Sequence, residues 1–133
     1  MIRINEDDDT IEFDGDVRLV NGTPLTGIAF AEYDNSTLKR EIPFYEGFPH
    51  GTCKEWHSNG QLMKQWECQN GMIIGQAFEW FDDGKIKSRS NFDLGIELEY
   101  SEWNRGGELV DERKIDTGSE MYRYYRNRKQ LLG

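Results

Sequence analysis

From Leu62 to Cys68 the chain alternates. Leu62, Lys64, Trp66 and Cys68 have one parity and Met63, Gln65 and Glu67 the other, a period of two that belongs to a strand and not to a helix. The pattern also returns at a fixed distance. Gly47, Gly51, Trp56, Gly60 and Leu62 reappear 24 residues on as Gly71, Gly75, Trp80, Gly84 and Ile86. Backward, Gly51, Leu62 and Cys68 align with Gly27, Leu38 and Phe44; forward, Trp80, Gly84, Ile86 and Phe92 align with Trp103, Gly107, Leu109 and Ile115 once one residue is dropped. Gly118, Tyr125 and Leu131 read as a truncated last copy. A fixed period of this length marks a fold built from stacked repeats.

Each unit is an aromatic-bearing run, a turn, a second alternating run and a glycine-containing loop, so the chain is a succession of hairpins. Asn59-Gly60 and Asp83-Gly84 predict tight primed turns, which need positive φ at their central residues. The loops Gly47 to Gly51 and Gly71 to Gly75 mark the opposite end of the sheet, and Gly22 to Gly27 is the same loop with one extra residue. Stacking places Leu38, Leu62, Ile86 and Leu109 in one ladder and Phe44, Cys68, Phe92 and Ile115 in a second, each cross-strand pair adding about 0.2–1 kcal/mol over alanine. Three places depart from the pattern: Ser36 stands at a turn glycine's position, Pro43 interrupts a strand, and Leu94-Gly95-Ile96-Glu97-Leu98-Glu99 lacks the second loop glycine.

The expected fold is all-β, an elongated, twisted antiparallel β-meander built from tandem ~24-residue hairpin repeats. About ten strands would make it close to 45 Å across. Residues 1–133 read as a single repeat domain, with an acidic N-terminal cap over 1–20, hairpin repeats over 21–115 and a truncated last repeat with a basic end over 116–133. Hydrophobic residues are 36% of the chain and charged residues 31%, too little apolar material for a thick two-layer core. The aromatic residues carry the packing instead. A sheet rolled on itself and a sheet capped at its ends both satisfy this pattern.

The net charge is −9, which argues against nucleic acid or an anionic membrane surface as partner, because both are bound by basic surfaces. An acidic surface keeps an open sheet soluble, and it also complements a basic protein. Glu6-Asp7-Asp8-Asp9 with Glu12, Asp14 and Asp16 is acidic, whereas Arg123, Arg126, Arg128 and Lys129 are basic. Such charges keep sheet edges from pairing, and they also allow head-to-tail association, so a homo-oligomer through the edges stays open. Met1 to Asn5 carries no apolar leader, and no run approaches a spanning helix. The expected location is the cytoplasm, where Cys53 and Cys68, on the two arms of one hairpin, stay thiols.

Enzyme signatures are absent. His50, Cys53, His57 and Cys68 have neither a CxxC knuckle nor a helical HxxxH spacing, so no metal is expected. No nucleophile elbow, phosphate-binding loop or dinucleotide fingerprint occurs, and the glycines recur with the repeat. Asp82-Asp83 lies at a turn, where carboxylates start the reversal. No catalytic residue and no cofactor is expected.

The cores Gly51-Thr52-Cys53-Lys54-Glu55-Trp56-His57-Ser58-Asn59-Gly60-Gln61-Leu62 and Gly75-Gln76-Ala77-Phe78-Glu79-Trp80-Phe81-Asp82-Asp83-Gly84-Lys85-Ile86 resemble variant MORN repeats, a G-x-x-x-x-W/Y-x-x-N-G-x-L hairpin. Asn21 to Phe30 is also similar to the first repeat of bacterial YwqK-family antitoxins. The resemblance implies a non-enzymatic antitoxin or immunity protein, its partner a cognate, basic protein toxin that acts on nucleic acid. On that reading the binding surface combines Trp56, Trp66, Trp80, Phe81 and Trp103 with Glu55, Glu79, Asp82, Asp83, Glu99 and Glu102. Trp56, Trp80 and Trp103 recur with the repeat and so also serve the hairpins. Trp66 has Ile42 and Ser90 as its equivalents, so the fold does not require an indole there. The alternatives are a MORN-type scaffold or protein/lipid-interaction module with no toxin partner, and a small enzyme or ligand binder using a groove in the sheet.

Overall fold

A computed structural model describes residues 2–132. In chain order the elements are β1 (Ile2–Asn5), β2 (Ile11–Asp14), β3 (Val17–Val20), β4 (Thr23–Pro24), β5 (Gly27–Glu32), β6 (Leu38–Tyr45), β7 (Phe48–Pro49), β8 (Gly51–Trp56), β9 (Leu62–Gln69), β10 (Met72–Trp80), β11 (Ile86–Asp93), β12 (Ile96–Trp103), β13 (Leu109–Lys114) and α1 (Glu120–Leu132). Ten strands form one sheet in the order β1-β5-β6-β8-β9-β10-β11-β12-β13, with β7 also paired to β6. From β5 onward every neighbouring pair is antiparallel, so the chain is the all-β meander of hairpins that the alternation predicts. Because β7 and β8 share one position beside β6, the sheet spans roughly 40 Å at the usual strand spacing.

The primed turns lie at the end of the sheet opposite to the one expected. Asn59-Gly60 and Asp83-Gly84 have positive φ only at the glycine, 88° in both. Their loops close through His57 N–H to the Gln61 carbonyl and Phe81 N–H to the Lys85 carbonyl, each at 2.8 Å, the three-residue turn with one left-handed residue. Ser36 takes that left-handed place in the first copy, at φ 68°. Both central residues are left-handed instead at Glu46-Gly47, Asn70-Gly71 and Leu94-Gly95. The missing glycine of the last unit has a register cause. Ile74 to Phe78 spans a bulge opposite Glu67 to Gln65, whereas Glu97 to Glu99 opposite Phe92 to Asn91 is one residue shorter. The shorter bulge accounts for the dropped residue and needs no second glycine. At Pro43 the β6–β8 ladder stops, and the Pro43 carbonyl accepts from His50 N–H at 2.9 Å.

Residues 1–20 do more than cap the sheet end. β1 pairs in parallel with β5, so it extends the sheet. β2, β3 and β4 form a separate three-stranded sheet. Gly47 seats it: its N–H donates to the Leu25 carbonyl and its carbonyl accepts from Arg18 N–H, both at 2.8 Å. Leu25, 1% exposed, packs with Ala29 and Phe44, and with Ile4, Val20 and Ile42 around them. The buried hydrophobics are Leu25, Ala29, Ala31, Phe44, Cys53 and Cys68; among the described residues, none comes from β10 onward.

Where a truncated repeat over 116–133 was expected, residues Glu120–Leu132 form a helix. Tyr122, Tyr125 and Lys129 recur at spacings of three and four, and Ser119 caps the start by accepting the Tyr122 N–H at 3.1 Å. The helix is held to the sheet through Asp93, which accepts from the Tyr125 hydroxyl at 2.9 Å and pairs with Lys129 at 3.0 Å. Met121, Tyr124, Leu131 and Leu132 are exposed on it.

Candidate binding surface

Residues directly opposite one another in adjacent strands share a face, so the registers sort the candidate residues. One row runs Ala31, Arg40, Glu55, Lys64, Glu79, Ser88, Glu102, Asp111 across β5 to β13. Two residues further along each strand lies a more apolar row that includes Ala29, Ile42, Cys53, Trp66, Ala77, Ser90 and Tyr100. Glu55, Trp66, Glu79 and Glu102 therefore stand together on one face. The small sheet covers this same face over β5 and β6.

Beyond that cover the face opens. A cleft of about 360 Å3 is lined by Trp66, Ile73, Ala77, Phe92 and Tyr100, with Glu55 and Glu79 among its polar groups. A second, of about 430 Å3, runs under the edge of the small sheet and shares Trp66 and Ile73 with the first. Trp66 thus lies where two clefts meet. The acids beside it are partly matched: Glu55 pairs with Arg40 at 3.7 Å, and Glu79 with Lys87 at 3.1 Å and Lys64 at 3.9 Å. Glu102 accepts a hydrogen bond from the Tyr100 hydroxyl, which pushes the Tyr100 pKa up to about 12.

The remaining candidates are elsewhere. Trp56, Trp80 and Trp103 stand opposite Leu62, Ile86 and Leu109 in their own hairpins, on the face away from Trp66 because each follows Glu55, Glu79 or Glu102 directly. Trp80 stacks on Phe78 with centroids 5.6 Å apart. Glu99 shares that face with Asn91 and Gln76. Phe81, Asp82 and Asp83 sit at the turn end. Phe81 lies under the Arg105 guanidinium at 4.8 Å, and Asp82 pairs with Arg105 at 2.9 Å, whose hydrogen bond and charge hold its carboxyl below the usual range. Asp83 accepts the Lys85 N–H at 3.0 Å, an ordinary turn bond.

The repeat tryptophans are also tied through their backbone. The Trp56 carbonyl accepts from the Tyr33 hydroxyl at 2.6 Å, and the Trp80 carbonyl from His57 Nε2 at 2.9 Å. Tyr33 and His57 occupy one repeat position, so these bonds stitch the hairpin of β5 and β6 to that of β8 and β9, and that one to the hairpin of β10 and β11. His57 is half-buried in this contact. Asn59 adds a parallel bond to the Asp82 carbonyl at 2.8 Å. Alignment of the copies could have revealed this position, since Tyr33 and His57 each precede a turn. Cys53 and Cys68 are buried free thiols. Their mutual hydrogen bond, reinforced by burial, pushes the Cys53 thiol up, and the same bond draws Cys68 down against the effect of burial. Among the described residues no group of His, Cys, Asp or Glu is placed to hold a metal ion, and no helix is long and apolar enough to cross a membrane.

The family model described as a MORN repeat variant matches residues 49–70 and 73–94, two adjacent units in the register read from the sequence. Repeats of this kind point to a protein-interaction scaffold. No curated protein matches the chain. A chain in the crystal structure of accessory secretory protein 1, 2 and 3 in Streptococcus pneumoniae is similar at 18% identity and a TM-score of 0.39, over 81% of this chain and 19% of that one. This chain spans about a fifth of that protein's length, and neither fold nor function is read from a likeness at that level.

Proposed function

We propose that the protein is a non-enzymatic antitoxin or immunity protein that acts in the cytoplasm, binding and neutralising a cognate basic toxin. The observation that carries this reading is the open cleft around Trp66, an apolar floor bordered by Glu55 and Glu79, with Glu102 beyond its rim opposite Ser88. The net charge of −9 supports it, because an acidic surface speeds encounter with a basic protein and makes the rate salt-sensitive. So does the resemblance of Asn21 to Phe30 to the first repeat of YwqK-family antitoxins. A toxin that cleaves or modifies nucleic acid presents a basic cleft of matching sign.

The test is a pull-down of tagged protein from its own host at low and moderate salt, followed by growth rescue with whatever co-purifies. A basic partner whose expression stops growth unless this protein is present supports immunity by binding. Retention of several non-toxic proteins favours the second reading, a scaffold, which rests on the two matched repeats.

A further inference from the structure

The repeat makes two places on the Trp66 face equivalent. Gly27, Ala29, Ile42 and Phe44 in the first unit correspond to Gly75, Ala77, Ser90 and Phe92 in the third, 48 residues on. The registers agree: Gly27 faces Phe44 and Ala29 faces Ile42, as Gly75 faces Phe92 and Ala77 faces Ser90. The first place is roofed by the chain's own β3 and β4. Val20 and Leu25 fill the space over Ala29, and the Arg18 guanidinium lies 5.2 Å from the Phe44 ring centroid. The third is the floor of the open cleft.

A second difference is electrostatic. The charged row alternates in sign through Arg40, Glu55, Lys64 and Glu79, then breaks. Arg40 faces Glu55, but Ser88 faces Glu102. Among the described residues no Lys or Arg forms an ion pair with Glu102, whereas Asp111, directly opposite it, is paired with Arg113 at 3.2 Å. A carboxylate left without an ionic partner in a row where its equivalents are paired is a place where an incoming cation is favoured.

We propose that the cleft over Ala77, Ser90 and Phe92 receives an extended segment of a partner protein that imitates β3 and β4, with an aliphatic side chain over Ala77 and an Arg or Lys paired with Glu102. The inference rests on the protein-binding reading and names the part of the face and the chemistry it selects. The first unit is its template: an aliphatic residue fits there because Ala29 leaves room above the sheet, and Ala77 leaves the same room. Ser90 in place of Ile42 widens the third site and leaves it unfilled. Glu102 selects a basic partner segment over an acidic one.

The experiment is selection of a displayed library of random short linear peptides on the full chain, with Ser88→Arg and Ser90→Ile as comparison proteins. Ser88→Arg supplies internally the cation that Arg40 gives Glu55, and Ser90→Ile rebuilds the side chain of Ile42, so both copy a unit that already folds. The expected result is enrichment of peptides that pair Leu, Ile or Val with Arg or Lys. Their synthetic forms should bind Ser88→Arg about tenfold more weakly at low salt, with the difference shrinking at high salt. Ser90→Ile should weaken them at any salt. No enrichment, enrichment of acidic peptides, or equal binding by both variants overturns the proposal. A toxic partner that co-purifies equally with wild type and Ser90→Ile overturns this site while leaving the immunity reading intact.

Discussion

The half of the sheet before Gln69 and the half after it use one repeat and differ in what lies over them. In the first, β2 to β4 roof the Trp66 face and bury Leu25, Ala29 and Phe44. In the second, the equivalent Ala77 and Phe92 line an open cleft, and β13 is exposed along its whole length. The same hairpin is therefore sufficient to build the sheet but not to bury it. Burial comes from a segment outside the repeat, and where the chain supplies none a partner can.

Core truncation separates the halves most. Leu25→Ala should cost about 2–5 kcal/mol in urea melts, since a fully buried side chain leaves a cavity. Ile73→Ala on the open half should cost less than about 1.5 kcal/mol, because Ile73 is only half-buried. Equal losses would mean that the cover contributes no extra burial. Next come two glycines in the same primed turn. A Cβ at Gly47 would lie 2.4 Å from Val17 Cγ1 of the roof, whereas at Gly95 the nearest atom is 3.6 Å away on Met72. Both positions have positive φ, so Gly95→Ala is expected to lose about 1 kcal/mol of stability to backbone strain alone, and Gly47→Ala at least about 2 kcal/mol.

Turn strain should not know which half it is in. Ser36 and Leu94 are left-handed non-glycine residues, at φ 68° and 52°. Ser36→Gly and Leu94→Asn should each stabilise by up to about 1 kcal/mol, with similar gains by thermal melting. The smallest effect is the pH response of α1. Lys129, and then the Tyr125 hydroxyl, hold the Asp93 carboxyl below its ordinary 3.8. A folded value below the unfolded one means that docking of α1 is fully supported above that ordinary value and is lost as pH falls through the lowered one. Chemical shifts of Tyr125 followed down to about pH 2 should report release in the wild type, and Asp93→Asn should remove the dependence.

Much of this was legible in the sequence. Glycine, tryptophan and alternating positions recur because each hairpin must meet its neighbour in register, so the period revealed the meander of hairpins. The turn types were not legible, because Asn-Gly serves both a primed two-residue turn and a longer one, and strand register decides which. The end of the chain reads as a repeat because Gly118, Tyr125 and Leu131 fall in phase, but the spacing of Tyr122, Tyr125 and Lys129 is that of the helix the chain forms there. The candidate surface was only partly gathered. Alternation puts Glu55 and Trp56 on opposite faces, so a surface holding Trp66 with the acids cannot also hold Trp56, Trp80 and Trp103. The roof was invisible because β2 and β3 lie outside the repeat and β4 falls within what reads as a repeat loop, and so were Ser88 and Ser90, which matter through what the equivalent residues do elsewhere.

On the proposed function, the partner is expected on the Trp66 face of the uncovered half. Hydroxyl-radical footprinting of the chain, alone and with its co-purified partner, reads it residue by residue. The account predicts that Trp66, Phe92 and Tyr100 lose reactivity in the complex while Trp80 and Trp103 keep theirs; protection of Trp80 and Trp103 with Trp66 unchanged would contradict it.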